Sequence, residues 1–109
     1  MESILASVKK YIGIDPEQTD FDPDIIMHIN SILTLNVRQL GVGPEEGFVI
    51  TGDFETWKNF LSNNILLESV KTYVGIKVKL IFDPPLSQAH ITALEQQAKE
   101  LEWRISISV

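Results

Sequence analysis

The chain has 109 residues and no cysteine, with 44% hydrophobic residues and a formal net charge of −6 at pH 7. This length is near the usual size of one domain and is sufficient for a single hydrophobic core, so we expect one domain over 1–109. The missing cysteines exclude a disulfide framework, a thiolate metal site and a thiol nucleophile. The acidic balance argues against a surface that neutralises many phosphates, so tight DNA binding is not expected.

Two amphipathic helices are predicted in the N-terminal part of the chain. The first covers 2–12, where apolar residues recur at helical spacing and Gly13 follows as a left-handed C-cap. After a linker, Asp22 as N-cap and Pro23 in the first turn begin a second helix that runs to about Leu40.

A long stretch rich in glycine and acidic residues follows, at about 42–55. Loops of this length in small domains are usually functional or disordered. The apolar triplet Phe48, Val49 and Ile50 argues against simple disorder. We therefore expect a projecting loop with a short extended piece, which offers a contact surface. The open alternative is that Phe48 and Ile50 fold back onto the core.

The longest apolar run, at about 65–82, is predicted to be the central helix around which the other elements pack. Its hydrophobic side chains cover well over half of a helical wheel, so several neighbours must cover it. The run is longer than an ordinary strand, and Asp83, Pro84 and Pro85 end it. Charged residues interrupt the run, which argues against a membrane span.

Two positions in this central helix require an explanation. Gly75 costs a helix about 1 kcal/mol relative to alanine. Close approach of a crossing helix would explain the glycine, and a hinge or a subunit contact is the alternative. Lys77 falls within the apolar arc, so its amine must reach solvent, meet a carboxylate or face a neighbouring subunit.

Two further elements complete the predicted fold, which is all-α with four to five helices. A helical turn at 56–62 carries Trp57 and Phe60 as a lid on the core. Ser87 is a natural N-cap for a last helix, whose apolar residues form an a/d seam against the central helix while Trp103 points away from it. The terminal residues alternate between apolar and polar, so 104–109 is also compatible with an extended tail.

No pattern in the sequence indicates catalysis, a metal site or a cofactor. Asp20, Asp22 and Asp24 have the spacing of the first EF-hand ligands, but Ile25 stands where that turn requires glycine. The glycines of the long loop lack the strand and helix that flank a phosphate-binding loop. We therefore expect a protein that is not an enzyme and has no cofactor.

Four runs of the chain carry a resemblance to a known family. They read DIIMHIN at 24–30, RQLGVGPEEGF at 38–48, VKTYVGIKVKLIFDPP at 70–85 and LEWR at 101–104. The chain resembles the small head–tail connector (adaptor) proteins of long-tailed bacteriophages and prophages, a group labelled by a QLRG tetrapeptide that here has the order RQLG. The resemblance implies an all-helical structural protein.

The resemblance also implies partners and a location. The expected partners are the portal protein, the next head–tail joining protein (a stopper or tail protein), and further copies of the chain in a ring of about twelve subunits. The ring would lie at the head–tail interface of the virion, after assembly in the bacterial host cytoplasm. It would extend the DNA channel under the portal, with DNA as transiting cargo only and with no membrane partner.

Apolar residues without an evident partner inside the chain, together with nearby charged residues, are the candidate interface, because exposed apolar patches usually mark association sites. They are Glu45, Glu46, Phe48, Val49, Ile50, Lys77, Trp103, Arg104, Ile105, Ile107 and Val109. We expect the terminal segment to dock on the portal or a neighbouring subunit, with strand addition as one route. We expect the long loop to contact the tail-side protein or line the channel. The alternative function is a small prophage-encoded helical regulatory or nucleic-acid-binding protein, which would need a basic face.

Overall fold

The computed structural model describes residues 3–62 and 64–108 and confirms the all-α prediction. The α-helices are α1 (Ile4–Ile12), α2 (Asp22–Ser31), α3 (Trp57–Phe60), α4 (Asn64–Phe82) and α5 (Gln88–Ser108), and a π-helical segment occupies Ile32–Val37. The described residues contain no strand, and Ser3 and Thr56 form an isolated antiparallel bridge.

Helix α4 is the centre of the fold, as the apolar run predicted. It packs against α1, α2, the π-helical segment and α5. Its fully buried side chains are Val70, Tyr73, Val74, Ile76 and Val78. Within the described residues, no helix combines the length and the hydrophobicity that crossing a membrane requires.

The linker between α1 and α2 is held by a buried lysine. The Lys9 ammonium donates hydrogen bonds to the carbonyl oxygens of Gln18, at 2.7 Å, and Pro16, at 3.2 Å. It also lies 2.9 Å from a carboxylate oxygen of Asp22. The predicted N-cap was therefore wrong by one position: Phe21 is the N-cap of α2, and the Asp22 carboxylate pairs with an ammonium instead of capping the first turn.

Helix α2 passes directly into the π-helical segment, and helical residues continue to Gln39, so the predicted end of the second helix near Leu40 is confirmed, while its π-helical turn was not expected. The segment keeps Leu33 and Val37 in the core. Within the segment, the Thr34 hydroxyl donates to the carbonyl oxygen of Asn30, one turn earlier in the chain, at 2.8 Å. Such i→i+5 turns are rare and often lie at functional positions. Here the segment brings the Asn36 side chain near the Tyr73 hydroxyl on α4.

Helix α5 confirms the predicted a/d seam, because Leu94, Ala98 and Ile105 are buried. The helix begins after Ser87, whose hydroxyl accepts from the His90 amide at 3.4 Å. The extended tail considered for 104–109 is wrong over 104–108, which are helical. The helix is favoured over a strand here because helical spacing places Ile105 in the core. Val109 lies outside the described residues.

Candidate protein interaction surfaces

The long loop at 42–55 is anchored to the second helix by two polar side chains. The Asn30 amide oxygen accepts from the backbone N–H of Ile50 at 2.7 Å, and its amide nitrogen donates to the Ile50 carbonyl oxygen at 3.0 Å. The Arg38 guanidinium donates to the carbonyl oxygens of Pro44 and Glu45. Because Arg38 uses backbone oxygens, the exposed carboxylates of Glu45 and Glu46 remain directed to solvent.

The apolar residues of this loop divide between the core and the surface. Ile50 is 2% exposed and belongs to the core. Phe48 is half-buried, with its ring centroid 5.2 Å from that of Phe60 in an edge-to-face contact. The alternative in which Phe48 and Ile50 fold back onto the core is therefore confirmed. By contrast, Val49 is 52% exposed and Phe54 is 84% exposed, and these two form the apolar part of the loop surface.

A second exposed apolar surface lies on the outer face of α5. Trp103 is 62% exposed and Ile107 is 61% exposed. Between them, the Arg104 guanidinium donates to the Glu100 carboxylate at 2.9 Å. Ile105 is fully buried on the opposite face, so this candidate contributes to the core rather than to the exposed surface.

Lys77 lines an open cleft between α4 and α5. The cleft has a volume of about 270 Å³ and is lined by Lys77, Leu80, Glu95, Ala98, Lys99 and Glu102. Lys77 is half-buried, and in the described part of the chain no carboxylate lies within 4.0 Å of its amine. Lys77 thus lines a cleft that also carries two carboxylates, those of Glu95 and Glu102. A contact between Lys77 and a neighbouring subunit stays a prediction.

A partly buried hydrogen bond involves Glu102, one of the residues that line this cleft. The hydroxyl of the fully buried Tyr73 donates to a carboxylate oxygen of Glu102 at 2.6 Å. Burial, followed by the hydrogen bond to this negative carboxylate, raises the pKa of Tyr73 well above its usual range, although the nearby Asn36 amide opposes the rise. The Tyr73 hydroxyl thus joins α4 to α5.

The comparisons with known proteins identify the family. A family model described as phage connector protein matches residues 4–109. The chain belongs to the phage connector family. The family is structural, and it gives this protein a connector role in the virion, in contact with other phage head and tail proteins. No curated protein and no solved structure matches the chain significantly.

Sequence reasoning missed several of the exposed apolar residues of this connector. Phe54, Ile81 and Leu86 all have large exposed side chains. Phe54 stands between two acidic residues, and Leu86 follows two consecutive prolines. An apolar residue within a turn or acidic context is a signal that could have identified both, because nothing local can bury it. The described residues also contain no group of three or more side chains suited to hold a metal ion.

Proposed function

We propose that this connector assembles as a ring under the portal, extends the DNA channel and joins the head to the tail. The observation that carries the proposal is the pair of exposed apolar surfaces, on the 42–55 loop and on α5, in a chain of the phage connector family. A subunit of a closed ring needs contacts with its neighbours and with the proteins above and below it. Two surfaces on separate segments meet this need.

The outer face of α5 is the proposed contact with the portal or a neighbouring subunit. Its Trp103 and Ile107 side chains expose large apolar areas next to the charged Arg104. Aromatic residues and arginine are enriched at the centres of interfaces. Because the segment is helical up to Ser108, docking occurs by a helix face that lies in a groove and not by addition of a strand.

The loop carries the proposed contact with the tail-side protein or with the channel. Glu45 and Glu46 are exposed on a loop that Arg38 and Asn30 hold in place. An acidic wall repels the phosphate backbone, so DNA would pass through the ring without binding to it.

The first experiment measures mass with and without purified portal protein. The double variant Trp103→Ser, Ile107→Ser removes the exposed apolar residues of α5 and leaves Ile105 in the core. We expect the wild-type chain to join the portal as a ring and the double variant to fail. Met27→Ser, at an exposed apolar position on α2, is the control. Undiminished ring formation by the double variant would contradict the assignment of α5. Salt-sensitive binding to DNA without portal binding would favour a regulatory protein.

The second experiment reverses charge on the loop. Glu45→Lys with Glu46→Lys should impair tail joining or DNA passage and leave the fold unchanged, because Arg38 holds only backbone oxygens there. The control, Glu17→Lys with Asp20→Lys, makes the same change in net charge at two exposed positions of the α1–α2 linker. Equal phage yields from the two double variants would show that the effect does not belong to the loop.

A further inference from the structure

The exposed side of α5 carries a second seam, opposite the one that packs on α4. Its residues are all exposed and follow one another at spacings of 4, 3, 4, 3 and 4: Ala89, Ala93, Gln96, Glu100, Trp103 and Ile107. These are the spacings of an a/d stripe that pairs with another helix. The first two residues of this seam are alanines, its last two are the bulky Trp103 and Ile107, and the two between them are polar.

We propose that this outer seam pairs antiparallel with the same seam of a second copy of the chain. The two-fold axis is placed at the height of residue 98 along the helix. Ile107 of one copy then faces Ala89 of the other, and Trp103 faces Ala93. A bulky residue then meets a small one at each end of the seam. The helices can therefore stay at an even separation along their length, within the usual 8–10 Å between helix axes.

The polar residues at the middle of the seam agree with the same arrangement. In the antiparallel pair Glu100 of one copy faces Gln96 of the other, twice by symmetry. The glutamine amide donates hydrogen bonds and the carboxylate accepts them, so the pair is complementary. The i,i+4 contact with Arg104 already holds the Glu100 carboxylate on this face of the helix.

A parallel pair fits the seam poorly. It would place Glu100 against Glu100, which are like charges. It would also place Trp103 against Trp103 at one end and alanine against alanine at the other. Such a pair cannot keep a constant distance between the two helix axes, because that distance depends on the size of the side chains at the contact. The sequence of the seam therefore selects the antiparallel arrangement.

The expected dimer is weak. From 89 to 107 the seam is about 27 Å long at 1.5 Å per residue, and one such helix pair buries on the order of 1,000 Å², the lower end of specific interfaces. On one flank the Lys99 side chains of the two copies come near each other, and both chains carry a net charge of −6. We therefore expect a dissociation constant of about 1 µM or weaker, and tighter association as salt screens the repulsion.

This pairing has a consequence for assembly that rests on the proposed function. The outer seam includes Trp103 and Ile107, the residues proposed to dock on the portal or a neighbouring subunit. A two-fold pair is closed and uses this face on both copies. The dimer would therefore cover the docking face of both copies until the portal displaces the second copy.

A swap of the large and small residues tests the pairing in the absence of portal. Light scattering would follow the mass from 12.3 kDa toward twice that value as protein concentration rises. In the antiparallel pair, Trp103→Ala leaves alanine at both facing positions, 103 of one copy and 93 of the other. Ala93→Trp places tryptophan at both of these positions. We expect each single variant to weaken the dimer by about tenfold or more. The double variant restores a large residue against a small one and should return to near the wild-type affinity.

Two outcomes of this experiment would overturn the pairing. They are a wild-type chain that stays at 12.3 kDa at all concentrations up to about 1 mM, and a double variant as weak as the single ones. Both substituted positions are exposed in the monomer, so the variants should fold normally, as helical circular dichroism would verify. Because no portal is present, failure here is distinct from failure of the proposed ring.

Cross-linking tests the orientation of the pair, since the chain has no cysteine of its own. Gln97→Cys lies beside the two-fold axis, so a short bis-maleimide should link two copies efficiently. Ala89→Cys would lie about 27 Å from its counterpart in the antiparallel pair and should not be linked. The opposite result, efficient linking through position 89 and none through position 97, would show a parallel pair and refute the proposal.

Discussion

The contact between Gly75 and Tyr11 makes a prediction whose sign can be tested. A β-carbon at position 75 would lie 2.8 Å from Cγ and 2.9 Å from Cδ1 of the Tyr11 ring. These distances are far below van der Waals contact, so the tyrosine ring must move before alanine can fit. The close approach of α1 therefore explains the glycine in the middle of α4, as one of the two sequence interpretations proposed.

Two opposing effects decide how much Gly75→Ala changes the free energy of unfolding. Alanine gains about 1 kcal/mol over glycine within a helix, whereas overpacking typically costs about 1–3 kcal/mol. We expect a net loss of about 1 kcal/mol, which lowers the Tm of a domain of this size by roughly 4–8 °C. In a Tyr11→Ala background the clash is absent, so the same substitution should stabilise the protein by about 1 kcal/mol.

The assay is a double-mutant cycle measured by urea unfolding of the four proteins. The difference between the two effects of Gly75→Ala gives a coupling of about 2 kcal/mol, well above the usual error of additivity. Stabilisation by Gly75→Ala in the wild-type background, or simple additivity with Tyr11→Ala, would refute the reasoning.

Three further predictions concern the buried polar contacts. Lys9→Met should lower the free energy of unfolding, measured in urea, by about 2–3 kcal/mol, because two carbonyl oxygens and the Asp22 carboxylate lose their partner. A loss for Lys9→Met as small as that of the exposed control Lys10→Met would contradict this. Asn30→Ala should cost about 2 kcal/mol and speed hydrogen exchange of the loop amides, and unchanged exchange would mean that the loop is held by its apolar contacts alone. The raised pKa of Tyr73 keeps its hydroxyl protonated in the folded state while the unfolded state ionises above about pH 10. Stability should therefore be complete below pH 10 and fall as the pH rises further, by up to about 1.4 kcal/mol per pH unit from this residue; Tyr73→Phe should flatten the decline, and an identical alkaline slope in both proteins would reject the assignment.

The periodicity of the sequence predicted the helices well because helical patterns are local. The apolar arc of α4 and the a/d seam of α5 depend only on residues a few positions apart, and both were found where expected. The exposure of Trp103 followed from the same seam, since a residue nearly half a turn away from a buried stripe must face outward. Terminating residues such as Gly13 also act within one turn, and its positive φ of 84° matches the predicted cap.

The contacts that join distant parts of the chain were not predictable in this way. The pairing of Asn30 with the backbone of Ile50 joins residues 20 positions apart. The Tyr73 hydroxyl meets Glu102 across 29 positions. Neither polar residue stands out in the sequence, because its partner is selected by the packing of the helices and not by a spacing.

The sequence by itself determined that this connector is all-helical, where its main helices lie, and which family it resembles. The tertiary structure alone decided that the loop folds back through Phe48 and Ile50, and that the terminal residues continue a helix with Ile105 buried. The physical reason is that helix formation follows short-range spacing, whereas burial depends on which surfaces meet when the helices pack. An alternating terminus and an apolar loop have two local solutions each, and only the position of the core selects between them.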